Sequence, residues 1–240
     1  MKALVYKELR LSMHIMCYLF VTLFPLMILI PAYFYPWTIG FIYVLTAYPV
    51  LFLGANKGQQ SNDLLFSALL PVRKKDIVLA RMITLAIMQF TFMAITALLL
   101  PIALKITGSY EASLATMTEE ELKTASKTFA CFPLSSFVLV LAIVLVGFSL
   151  ADIVFLPIYY KKGKSIVAST LITILVFVTY IAVLTFVIPV VAQIYQPLEW
   201  ILNISLPIQF ACFGGALVIY FLMHWLTYSI SYKRLEKVDF

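Results

Sequence analysis

Inside the apolar runs of this 240-residue chain, few side chains could do chemistry. Asp152, in GFSLADIVFLPIYYKKGK, is the one clear carboxylate in such a run, and His14 and His224 are the two imidazoles. A proton relay or an ion-coupled carrier needs ionisable groups at mid-membrane depth, where each costs about 2.5–3.5 kcal/mol on insertion scales. Asp152 reads as lying near the end of its run, beside a basic loop. An interhelical contact, or a side chain reaching toward the interface, accounts for it more simply than a relay. The histidines also fall near the ends of runs and read as packing residues. Metal ligation needs several His, Cys or carboxylate groups converging, and no spacing here supplies them. Cys17, Cys131 and Cys212 form no CxxC pair, and a thiol within an apolar run behaves as a small apolar side chain. Serine-hydrolase and metalloprotease motifs are absent, and no G-x-x-x-x-G-K-[ST] loop cradles a nucleotide. The expectation is a chain with no catalytic residue, no metal and no cofactor of its own.

The elements that carry these residues are apolar. The chain is 63% hydrophobic and 12% charged, with a mean hydropathy of +1.03, against about 25% charged in a soluble domain. An all-α integral membrane protein is expected. Its formal charge of +6 forms no basic stripe with interleaved aromatics, which argues against nucleic acid. About 20 apolar residues cross a ~30 Å hydrocarbon core as a helix. By that ruler six spans are predicted, at roughly 13–33, 37–55, 77–104, 133–158, 166–193 and 205–228. They form one domain over 1–240.

Charge sets the orientation. Lys2, Lys7 and Arg10 precede the first span, and Lys57, Arg73, Lys74, Lys75 and Arg81 surround the start of the third. Lys161, Lys162 and Lys164 follow the fourth, and Lys233, Arg234 and Lys237 close the chain. The other side holds Lys105, Lys123 and Lys127. The positive-inside rule puts the larger set in the cytoplasm, with both termini, as an even number of spans requires. Residues 105–132 then form the one substantial outer loop. There Thr118 and Glu121 fit a capping box, and Glu119, Glu120 and Glu121 read as a solvated helix start rather than a binding site.

Two cytoplasmic segments look purposeful. Residues 1–11, MKALVYKELRL, alternate apolar and charged side chains and suit an amphipathic helix in the headgroup region. Residues 61–70, SNDLLFSALL, give about two turns of apolar helix before Pro71, too few to stand alone in water. Asp63 suits the first turn, and Leu64, Leu65, Phe66, Leu69 and Leu70 need a partner surface. Lys7, Arg10, Arg73, Lys74 and Lys75 read as anchors at lipid headgroups, with Asp76 capping the third span.

The stretch LLFSALLPVRKKDIVLAR resembles the "SLPVSRKEIV-x-A/G-K/R" signature of small permease subunits of ABC-2-type transporters. MKALVYKEL looks like their N-terminal elbow helix. FLPIYYKKGKS is similar to their "LPLYFKFG-x-x-K/R" junction between spans four and five, and LTYSISYKRLEK to their closing "S-x-x-x-Y/F-x-x-R/K" pattern. The matches run through the chain in order. Arg73 departs from the family's usual Ser or Thr cap.

The resemblance implies a six-helix transmembrane domain in a cell membrane, of the bacterial plasma-membrane kind, paired with a second permease subunit as a homo- or heterodimer. Two separate ABC ATPase subunits, holding the ATP and Mg, would drive it. Asp63, Leu64, Leu65, Phe66, Leu69 and Leu70 would form a coupling helix seated on the ATPase. Tyr159, Tyr160 and Lys161, in a loop at 159–164, would make a second contact. Gln89, Thr91, Thr170 and Thr173 would be polar accents in a pathway for a hydrophobic or amphipathic cargo such as a peptide, lipid or drug, moved outward. The rival expectations are a non-transport membrane scaffold and a carrier that needs no ATPase.

Overall fold

The computed structural model describes residues 2–12, 15–29, 40, 72–114, 137–162, 166–183 and 204–237. Nearly all of these residues are helical and, among them, no strand occurs. The N-terminal stretch forms α1 (Lys2–Lys7), a π-helical turn (Glu8–Ser12) and α2 (Ile15–Leu23). The chain then tightens into a 3₁₀ turn (Phe24–Leu29) around Pro25, whose ring nitrogen has no proton for an α-helical ladder. Next come α3 (Lys74–Leu114), α4 (Phe137–Lys162), α5 (Ile166–Ala182) and α6 (Leu206–Glu236). Among the described residues, Lys74–Ala103, Phe137–Tyr160 and Leu206–Glu236 are long and apolar enough to cross a membrane.

The observed helices outrun several of the predicted spans. α3 has 41 residues, which at ~1.5 Å per residue reach about 60 Å, twice a ~30 Å hydrocarbon core. It carries Pro101 within it and continues through residues 105–114, the first part of the predicted outer loop. Hydropathy ends where Lys105 begins, but the backbone ladder needs no apolar side chains to go on. α4 likewise continues through Tyr159 and Tyr160 to Lys162, where a loop was expected, and α6 extends past 228 to Glu236. Asp76 is not the cap of α3. Arg73 holds that position by its backbone, its carbonyl accepting from the amides of Asp76 at 2.9 Å and Ile77 at 3.4 Å. Asp76 instead lies in the first turn, where an acid meets the positive end of the helix dipole.

α4 is the centre of the bundle: 61% of its spanning window is buried within the chain, against 39% for α3 and 17% for α6. It packs on α6 and α5, while α3 packs on α6, α1, α2 and the 3₁₀ turn. Phe92 of α3 and Phe148 of α4 meet edge-to-face at 5.7 Å. Gly147 lets α5 approach closely, since a Cβ there would lie 3.1 Å from Phe177 Cζ. A Cβ on Gly40 would lie 2.7 Å from Val144 Cγ1, so this residue, in the predicted second span, also sits against α4.

The basic ends of three helices lie together. Lys74, at the start of α3, donates to the Glu236 carbonyl at the end of α6 at 3.4 Å. Arg234 of α6 donates through a guanidinium nitrogen to the Pro157 carbonyl, near the end of α4, at 2.8 Å. α3 therefore runs antiparallel to α4 and α6. Glu8 joins the N-terminal stretch to α3 by accepting from Arg81 Nε at 3.1 Å and from its terminal nitrogen at 3.0 Å.

Candidate functional site

Each of the three long helices turns a face inward at three- and four-residue spacing. On α4 this face carries Leu145, Phe148, Asp152, Phe155, Leu156 and Tyr159, all buried. On α3 it carries Leu85, Gln89 and Phe92, and on α6 Ala216 and Tyr220. Gln89, Asp152 and Tyr220 thus each take a buried seat on the inward face of their helix.

These side chains meet. The Tyr220 hydroxyl donates to Gln89 Oε1 at 2.5 Å, and Gln89 Nε2 donates to Asp152 Oδ2 at 3.0 Å. His224, one turn beyond Tyr220, brings Nε2 to 3.1 Å from the same carboxylate oxygen. Its Nδ1 lies 3.1 Å from the Tyr220 carbonyl, and the two rings lie tilted against each other with centroids 4.0 Å apart. Asp152 and Gln89 are 0% exposed and Tyr220 1%. A carboxylate withdrawn from water this completely needs both charge pairing and hydrogen bonds, and the neighbouring helices supply them.

The cluster lies well inside the helices that carry it. Gln89 is at the middle of Lys74–Ala103, Tyr220 at the middle of Leu206–Glu236, and Asp152 one turn from the middle of Phe137–Tyr160. α4 and α6 both run past the ends of the predicted spans toward their basic ends, so Asp152 and His224 lie more than two turns from the ends of their helices. The convergence itself had no local signal, because Gln89 bonds Asp152 across 63 residues and Tyr220 across 131.

Of the expected pathway residues, Gln89 is held in this cluster. Thr91 is exposed and donates to the Ile87 carbonyl at 2.7 Å; Thr173 is buried and donates to Ser169 at 2.7 Å. Such back-bonding satisfies a hydroxyl within its own helix. Thr170 Oγ1 is buried without a hydrogen-bond partner among the described residues.

Of the expected anchors, Arg73 and Lys75 are exposed, and Lys74 bonds the end of α6. Arg10 donates to the Tyr6 hydroxyl and lies over the Tyr6 ring, 5.6 Å from its centroid. Lys7 Nζ is 3.6 Å from Glu8 Oε1, beside the Glu8–Arg81 pair, whose side chains are 6% and 9% exposed.

Residues 61–70, with Asp63, Leu64, Leu65, Phe66, Leu69 and Leu70, lie outside the described residues, as do His14, the end of the predicted fifth span and the Thr118–Glu121 segment. Tyr159 and Tyr160, expected on a loop, are buried in α4 at 4% and 1% exposure, and Lys161 belongs to the last turn of that helix. The Tyr159 ring stacks instead on Phe155, and Tyr160 meets Tyr159 edge-to-face. Among the described residues no three His, Cys, Asp or Glu side chains are grouped to hold a metal ion.

No protein-family model, curated protein or solved structure matches this chain.

Proposed function

We propose that this chain is the permease subunit of an ATP-binding cassette exporter of the ABC-2 type. It would have six transmembrane helices and cytoplasmic termini, pair with a second permease subunit and be driven by separate ATPase subunits. The observation that carries this is the common basic end of α3, α4 and α6, joined by Lys74 to Glu236 and by Arg234 to Pro157. Lys74, Lys75, Lys161, Lys162, Lys233 and Arg234 belong to the same end of the bundle, and Arg81 ties in the N-terminal stretch. One basic end is what the positive-inside rule assigns to the cytoplasm, where an ATPase would dock. The four family-like motifs fall at or beside this end.

Mechanically, the 61–70 segment leads directly into the first turn of α3. A push from a closing ATPase dimer would reach α3, a continuous 41-residue helix, and pass through Gln89 and Asp152 to α4 and α6. ATP would favour one permease conformation through differential contacts at the coupling segment. The cargo would be hydrophobic or amphipathic. Phe66→Asp and Leu69→Asp are expected to abolish co-purification of an ATPase while the chain still inserts and folds. Retention of the ATPase by both variants would reject the coupling assignment.

The Asp152–His224 pair, 3.1 Å apart at mid-span, favours one second reading, a carrier that needs no ATPase. Transport by proteoliposomes holding this chain alone would select it.

A further inference from the structure

We infer that the groove between the N-terminal stretch and α3 seats one anionic phospholipid, its acyl chain along the groove and its headgroup phosphate at Lys2, Tyr6 and Arg10. Among the described residues the groove, of about 380 Å³, is lined by Lys2, Val5, Tyr6, Leu9 and Ile83. Residues 2, 5, 6 and 9 follow one another at helical spacing, so one face of the N-terminal stretch supplies four of these five. Val5, Leu9, Ile83 and the Tyr6 ring offer apolar surface, which gains by leaving water. Lys2 is the cation among them. The Glu8–Arg81 pair, at 3.0 Å and nearly buried, holds the stretch to α3 two residues from Ile83.

The charge beside the groove selects the headgroup. Lys2 and Arg10 are exposed. Arg10 donates to the Tyr6 hydroxyl, and its guanidinium lies 5.6 Å from the centre of the Tyr6 ring. A guanidinium has further N–H donors for a phosphate, and the Tyr6 hydroxyl, accepting from Arg10, keeps its own proton to give. Glu8, the acid of this stretch, is buried and accepts twice from Arg81, so its charge is matched by α3. Ile83 stands nine residues along α3 from Lys74, about 13 Å at ~1.5 Å per residue. With the basic end among the headgroups, that length clears a headgroup layer of about 5–7 Å and brings the apolar wall level with acyl chains. A zwitterionic lipid carries its own cation toward Lys2 and Arg10, and a free phosphate leaves the apolar wall bare. An anionic phospholipid answers both.

The inference needs a membrane but no ATPase, so either it or the permease assignment can fail without the other. The test places the full chain in phosphatidylcholine nanodiscs doped with phosphatidylglycerol that bears a photoreactive group on its acyl chain. Peptide mass spectrometry then maps the adducts. They are expected on the peptides holding Val5, Leu9 and Ile83, several-fold more often than with phosphatidylcholine carrying the same photoreactive chain. Lys2→Gln combined with Arg10→Gln should lower that yield by on the order of tenfold, the scale set by two basic residues beside an anionic lipid. Lys233→Gln with Lys237→Gln removes the same charge from exposed positions at the basic end of α6 and should leave the yield unchanged. Ile83→Trp keeps every cation but fills the groove, and should remove the adducts at Val5 and Leu9. Residue 83 is 37% exposed, so the larger ring need not enter the core. Excess glycerol phosphate should not lower the yield. Equal labelling by the two lipids, equal loss in the two double variants, undiminished labelling of Ile83→Trp, or competition by glycerol phosphate each overturns the proposal. The comparison of the two lipids uses the unaltered chain, so a misfolded variant cannot decide the outcome.

Discussion

Removing one member of the Asp152 cluster leaves the others facing apolar side chains with a hydrogen bond unmade. The members differ in what that costs. Tyr220→Phe deletes one neutral donor, and interhelical hydrogen bonds in membranes are worth about 0.6 kcal/mol on average and up to about 1.7. Asp152→Ala deletes the group on which Gln89 and His224 converge, and breaking a buried charged pair costs about 3–5 kcal/mol. Unfolding of the detergent-solubilised chain is therefore expected to rank Asp152→Ala well below Tyr220→Phe. Equal losses would mean that the carboxylate is not the hub. The residue type at 152 was readable from the sequence, but its partners were not. Periodicity marks which face of a helix turns inward, and nothing in it says which faces of distant helices share a level.

At the scale of elements, close packing is uneven. Gly147→Leu is expected to pry α5 from α4, because even a Cβ there would stand 3.1 Å from Phe177 Cζ and 3.4 Å from Tyr180 Cε1. Overpacking of this kind costs about 1–3 kcal/mol. Gly214→Leu, with nothing within 4 Å of its Cβ position, should leave the isolated chain's thermal stability unchanged. A matched loss at both sites would show that the two faces are equally covered. Arg81→Ala should release the N-terminal stretch from α3, seen as faster proteolysis after Lys7 or Arg10, because Glu8 then loses both guanidinium bonds. Unchanged cleavage would mean that α1 is held by its apolar contacts alone. Helix existence was legible in the long apolar runs that fall among the described residues, and helix ends were not. Lys105 stops the apolar run of α3 without stopping its hydrogen bonds, and the aromatic pair Tyr159–Tyr160 looked like an interfacial loop although its rings complete the inward face of α4. The cap of α3 misled for a different reason. Arg73 supplies a backbone carbonyl, which any residue type can do.

For the whole molecule, one end gathers the cations of three helices and the N-terminal stretch, and the polar cluster links the same helices away from that end. Lys75 and Lys237 are both exposed at that end. Single cysteines at 75 and 237, in a background without other cysteines, are expected to react with an impermeant maleimide only in inside-out vesicles. Labelling of the two from opposite sides would break the common-end arrangement. The central claim is that this bundle converts force made by a different polypeptide into helix movement. Native mass spectrometry of the complex extracted gently from its own membrane tests it most directly. The account predicts an assembly of two permease-type chains with two nucleotide-hydrolysing subunits, and it is contradicted if the chain flies alone or only with lipid.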